Sequence, residues 1–180
     1  MGGGKKRKMK RFMVRIKKMK KMNSRALGLT NKFVESFCEI ACKNFQGVFM
    51  QDQIPIHLLK KKNATFIVNL LYHGNLGHFV SVVLRPKKIL LIDSLGFSLN
   101  DPHLQHFFSK SSRRVYSNKT PIQHFFSNQC GLYCILFCMH YDDCKKSSLS
   151  HGLKFHRDPD KLKKNDVLCS VYISRKINKL

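Results

Sequence analysis

Residues 120–141 read TPIQHFFSNQCGLYCILFCMHY, and their character changes at Cys130. Before it stand Pro121 and a polar approach, Ser127-Asn128-Gln129. After Gly131 the run is mostly apolar, without Gly or Pro, as far as Tyr141. Apolar on every side and more than three helical turns long, the segment predicts a buried helix over 128–141 with Cys130 at its start. Cys130, Cys134 and Cys138 then share one helix face, where they cannot staple distant loops as a secreted disulfide framework does. The chain has seven cysteines, an odd number, which points to a reducing compartment.

Upstream of this helix come three strand-like stretches, Ala64–Leu71, Gly77–Leu84 and 88–93. Gly74-Asn75 separates the first pair and Arg85-Pro86-Lys87 the second. Both links are short enough for antiparallel hairpins, so a small sheet is expected. Further back, Phe33, Val34, Phe37, Ile40 and Ala41 recur at helical spacing after a cap at Thr30 or Asn31, and the folded domain is expected to begin there. The stretch 44–55, NFQGVFMQDQIP, carries Gly, Asp and Pro and reads as a loop. Downstream, 101–109 predicts a short helix, 113–116 a basic strand, and 165–173 a last helix that packs on the core.

A length of 180 residues suits one domain with a tail, and 43% apolar residues including 14 Phe exclude a disordered chain. Against 10 acidic residues stand 34 Lys and Arg, a net +24, which calls for a polyanionic partner, nucleic acid first. No apolar run approaches the ~20 residues of a membrane span, and the basic N-terminus lacks a secretory core, so the chain reads as neither secreted nor membrane-spanning. Gly2 invites myristoylation, but that pattern wants Ser or Thr where Lys6 stands.

The charge is concentrated at one end. Within 2–22 there are eleven Lys or Arg (Lys5, Lys6, Arg7, Lys8, Lys10, Arg11, Arg15, Lys17, Lys18, Lys20 and Lys21) and no acid. Such a block repels itself, so 1–25 is expected to be a disordered arm that neutralises phosphates, or a targeting signal, with the folded domain over 26–180.

Chemistry is suggested by company rather than by any one residue. A cysteine in an apolar run is more often a small buried hydrophobe, and Cys134 and Cys138 are read that way. Cys130 differs because it opens the helix, where the helix N-terminus and a nearby imidazolium favour a thiolate nucleophile. His78 lies near the start of one strand and Asp93 ends the next, fifteen residues on. An antiparallel pairing through 85–87 brings them side by side, so that the carboxylate can hold the imidazole in its useful tautomer. Gln123, seven residues before Cys130, can give its side-chain amide to a tetrahedral oxyanion.

Taken together, GHFVSV at 77–82, LLIDSLGF at 90–97 and TPIQ at 120–123 followed by CGLYC at 130–134 resemble the adenovirus proteases and their relatives among the ubiquitin-like-modifier peptidases. Those enzymes share the order His, Asp or Glu, Gln, Cys. GVFMQDQIP at 47–55 and FHRDPDKLKKNDVLCSVYI at 155–173 are similar to the proteases of polinton and adintovirus elements. The resemblance implies an α+β, papain-like (adenain-like) cysteine protease fold, a small mixed and mainly antiparallel sheet packed on a central helix that carries the nucleophile. It implies a cysteine endopeptidase with Cys130 as nucleophile, His78 as base, Asp93 orienting it and Gln123 in the oxyanion hole, cutting viral precursor proteins during virion maturation. No cofactor is required for that chemistry, although DNA would act as an activating polyanion. The partners implied are the precursors and DNA, with an activating peptide allowed, and the location is the virion and host nucleus. Two positions depart from the family: Phe79 stands where Trp usually follows the histidine, and Asp93 where the adenovirus enzymes have Glu.

Other readings compete. A zinc site from Cys130, Cys134, Cys138 and His140 is disfavoured because cysteines one turn apart on a buried helix cannot close a tetrahedron. A basic DNA-binding virion protein with an inactive protease fold is supported by charge and opposed by the intact set of four residues. A deconjugating peptidase for a ubiquitin-like modifier would keep the site and change the substrate.

Overall fold

The computed structural model describes residues 29–71, 77–97, 100–142 and 154–177, together with Arg7 and Val14. The rest of the arm expected over 1–25 and the turn at Gly74-Asn75 lie outside the described residues.

Thr30 starts the first helix, α1 (Asn31–Ala41). Its hydroxyl accepts the Phe33 N–H at 3.3 Å, the capping role that suits Thr. Val34, Phe37 and Cys38 form the buried stripe of this helix. The strands β1 (Phe45–Met50), β2 (Ala64–Leu71), β3 (Gly77–Leu84), β4 (Lys88–Ile92) and β5 (Arg114–Ser117) form one sheet in that order. β2, β3 and β4 run antiparallel, as the short links require, and the two edges, β1 on β2 and β5 on β4, are parallel. Asp101 caps α2 (Pro102–Ser109), accepting from Leu104 N–H at 2.9 Å, with Pro102 in the first turn where its missing N–H costs nothing. α3 (Cys130–Tyr141) is the apolar helix, and α4 (Leu162–Ile177) follows a short 3₁₀ turn over Pro159–Lys161.

One expectation is corrected. The 44–55 stretch is not all loop, because Phe45–Met50 is an edge strand parallel to β2. Gly47, at φ 132, lies where the register shifts between Phe45↔Thr65 and Val48↔Ile67. That left-handed irregularity breaks the alternation by which a strand is recognised.

The sheet is covered on both faces, which is why β3 is buried at every position after Gly77. On one face Ile67, Phe79, Val83, Leu90 and Ile92 meet α1, α3 and α4. On the other, Phe66, Leu70, Val82 and Leu91 meet α2 and the 3₁₀ turn Ile56–Lys60. Phe79 is thus a core residue. Arg85, in the β3–β4 turn, is only 2% exposed; its guanidinium donates to the carbonyls of Leu84 (3.0 Å) and Tyr141, at the C-terminal end of α3. Among the described residues no helix is long and apolar enough to cross a membrane.

Candidate active site

The start of β3, the end of β4, the stretch after β5 and the first turn of α3 meet at one rim of the sheet. They carry His78, Asp93, Gln123 and Cys130. The β3–β4 register Ser81↔Ile92, continued one step, sets Asp93 against Val80. His78 and Asp93 are therefore diagonal neighbours of equal parity, not directly opposite, and their side chains meet at 2.6 Å from Nε2 to Oδ1, both buried.

The carboxylate is fixed by backbone as well. Oδ1 accepts the Leu95 N–H at 2.8 Å and Oδ2 the Phe97 N–H at 2.7 Å, and Gly96 N–H closes the turn on the Asp93 carbonyl at 3.1 Å. Gly96 has φ +80, and a Cβ there would press on the Lys119 carbonyl oxygen at 3.2 Å, so the turn requires glycine. Asn118 continues the β4–β5 pairing with its side chain: its amide oxygen takes the Asp93 N–H at 2.9 Å and its Nδ2 donates to the Asp93 carbonyl.

Burial pushes against both charges, and the pair outweighs it. Burial alone would raise the Asp93 carboxyl, but the hydrogen bond and charge of His78, with the Leu95 and Phe97 N–H groups, hold it below its ordinary range. Burial alone would lower His78, but the bonds to Asp93 and to Cys130 raise it to about 9. The pair thus favours the charged form of the imidazole. With Nε2 on Asp93, the ring nitrogen left for Cys130 is Nδ1, and both nitrogens donate in the charged ring.

Cys130 is the first residue of α3 and half-buried, while Cys38, Cys42, Cys134, Cys138 and Cys169 are buried. The first N–H groups of a helix have no partner within it, so the positive end of α3 lies beside this sulfur. Gln123 is 1% exposed. Its Oε1 accepts from the Ser94 hydroxyl at 2.6 Å, and its Nε2 donates to the Ser127 carbonyl. Ser127 N–H in turn closes on the His124 carbonyl at 2.9 Å, a turn that leaves Phe125 and Phe126 66% and 86% exposed.

The structure thus brings His78, Asp93 and Cys130 together and ties Gln123 to Ser94, the residue after Asp93. Of the eleven basic residues in the arm, only Arg7 is described, and it is exposed. Among the described residues no three His, Cys, Asp or Glu side chains are grouped to hold a metal. Sequence patterns did not point to Ser94, Asn118 or Asn165. Asn165 Nδ2 donates to the Ile122 carbonyl at 2.7 Å and to the His156 carbonyl at 2.8 Å, and its Oδ1 accepts the His156 N–H at 2.8 Å. Only the adjacency of Ser94 to Asp93 offered a signal.

No protein-family model matches the chain, and no curated protein does. Solved structures do. The ASFV pS273R protease superposes with a TM-score of 0.51 at 14% identity, over 82% of this chain and 67% of that one. AvrA with IP6 and CoA gives 0.49 at 13% identity over 94% and 81%, and the SUMO protease Ulp1 gives 0.44 at 11% over 98% and 97%. At such identities the likeness is one of fold. The chain therefore has the papain-like cysteine protease fold, a mixed sheet packed on the helix that opens with Cys130.

Proposed function

We propose that the chain is a cysteine endopeptidase with Cys130 as nucleophile, His78 as acid and base, Asp93 as its orienting partner and Gln123 as an oxyanion donor. The observation that carries this is the His78 imidazole, bonded to Asp93 on one nitrogen and in reach of the sulfur at a helix N-terminus on the other. The imidazolium supports a thiolate. The thiolate attacks the scissile carbonyl carbon, and the oxygen takes the negative charge beside the Cys130 N–H and the Gln123 amide. His78 gives its proton to the leaving amine as the C–N bond breaks, leaving a thioester. Water then attacks that thioester, its proton passes to His78, and the C–S bond breaks to release the acid product and restore the thiolate beside the imidazolium.

The substrates proposed are viral precursor proteins, cut during virion maturation, with DNA as the stimulating polyanion. Support comes from the net charge of +24 and from a fold shared with a viral protease. Cleavage of a fluorogenic peptide with and without duplex DNA tests both parts. Cys130→Ala is expected to be inactive and to lose its reaction with a thiol-directed covalent probe. A Cys130→Ala protein that still cleaves would overturn the site, and a wild type indifferent to DNA would overturn the polyanion role.

A further inference from the structure

The amide of Gln123 can serve an oxyanion only if its NH₂ end, not its oxygen, faces the reacting carbonyl. Amide oxygen and nitrogen have nearly the same shape, so packing alone does not choose between them; hydrogen-bond partners must. Both ends of Gln123 are bonded, and the Ser127 end makes the choice, since a hydroxyl serves an amide oxygen or an NH₂ alike. The Ser94 hydroxyl lies 2.6 Å from Oε1, and the Ser127 carbonyl, which can only accept, takes a hydrogen from Nε2. A flipped amide would set its oxygen against the Ser127 oxygen. One amide hydrogen remains to be donated.

Ser94 also holds the backbone of the same residue. Its carbonyl accepts the N–H groups of Ile122 at 2.9 Å and of Gln123 at 3.0 Å. Ser94 is 2% exposed, so no solvent replaces its hydroxyl if that is removed. It also follows Asp93 directly, within the turn closed by Gly96.

We infer that Ser94 is a positioning residue for the reaction: its hydroxyl pins the Oε1 end of the Gln123 amide, whose flip the Ser127 carbonyl opposes, and its carbonyl holds the backbone of the segment after β5 that carries Gln123. One turn then aligns both the partner of the base and the donor to the oxyanion. The inference rests on the peptidase mechanism proposed above.

The test compares Ser94→Ala, Ser94→Thr and Gln123→Ala with wild type in three assays. Loss of one oxyanion donor typically costs about 10²–10³ in turnover, so Gln123→Ala is expected in that range and Ser94→Ala, which only loosens one end of the amide, at roughly tenfold in kcat with KM unchanged. Affinity for a peptide aldehyde, whose adduct with Cys130 has a tetrahedral oxygen, should fall in parallel. Alkylation of Cys130 by iodoacetamide, which forms no such oxygen, should keep its rate. Ser94→Thr, which retains the hydroxyl, should recover kcat. Should Ser94→Ala show wild-type kcat and aldehyde affinity while Gln123→Ala is impaired, the positioning role is wrong and the mechanism stands. The role is equally wrong if Ser94→Ala slows alkylation as much as cleavage, since that marks a general loss of structure. If Gln123→Ala cleaves as wild type, the oxyanion assignment fails and this inference falls with it.

Discussion

His78 Nε2 and Asp93 Oδ1 meet at 2.6 Å at the open end of the β3–β4 hairpin, on a carboxylate that also accepts the N–H groups of Leu95 and Phe97. His78 is raised from 6.5 to about 9 in the folded chain, so its stabilising contribution is complete below about 6.5 and is lost as pH rises through about 9. For Asp93, held below its ordinary 3.8, the contribution is present above that value and is lost as pH falls beneath it. Wild type should therefore lose on the order of 3 kcal/mol of unfolding free energy as pH rises across the His78 window, while His78→Gln should show no such slope. Urea titrations below and above that window measure it. Equal slopes in the two proteins would remove the charged imidazole from the account.

The same bond predicts kinetics. Asp93→Asn keeps the shape and removes the charge that holds the imidazolium, so peptide turnover should fall on the order of 10²-fold with the fold retained. A variant that turns over at the wild-type rate would show that the pair is structural only.

The thiols should separate cleanly. Cys134 and Cys138 are 1% and 0% exposed in the face of α3 that meets the sheet and α1, and Cys130 is half-buried at its end. Cys134→Ala and Cys138→Ala should each lose about 1 kcal/mol through packing while retaining cleavage. Cys130→Ala should abolish cleavage at nearly unchanged stability. Thermal midpoints beside activity read out both, and loss of activity in a folded Cys138→Ala protein would reopen the assignment.

Arg85 is predicted to matter for stability alone. Its buried guanidinium caps the C-terminal end of α3 through Tyr141 and also takes the Leu84 carbonyl. Arg85→Met removes both of these bonds and is expected to cost roughly 2–4 kcal/mol. Arg85→Lys should restore little, because an ammonium cannot fork between two carbonyls. A urea midpoint within error of wild type for Arg85→Met would refute this.

For the basic arm the expected result is a change in salt dependence. Each phosphate contact on duplex DNA contributes a slope of about −0.9 to log affinity against log salt. Deleting 2–22 should thus reduce the slope by several units, while DNA-free cleavage of a short peptide survives. A truncated protein with the full slope would move DNA binding onto the folded body.

Much of this architecture was legible because it rests on runs. β2, β3 and β4 are apolar stretches bounded by turn residues, and the short 85–87 link left their pairing little freedom. That link also made the meeting of His78 with Asp93 readable, and the register makes them diagonal neighbours of one face. β1 was hidden by the irregularity at Gly47. Ser94, Asn118 and Asn165 were hidden for another reason: each acts on backbone or on another polar side chain across a turn, and such bonds leave no periodic trace in a sequence.

Asn165, in α4, holds the Ile122 carbonyl, one residue before Gln123, and the Tyr133 hydroxyl lies 3.1 Å from the same oxygen. None of the four candidate site residues belongs to α4. A premature stop codon before Asn165 would nonetheless release the segment on which Gln123 sits, and in a screen for activity it would score like a lesion at the nucleophile. The coding sequence of α4, which a motif search passes over, would behave genetically as part of the site.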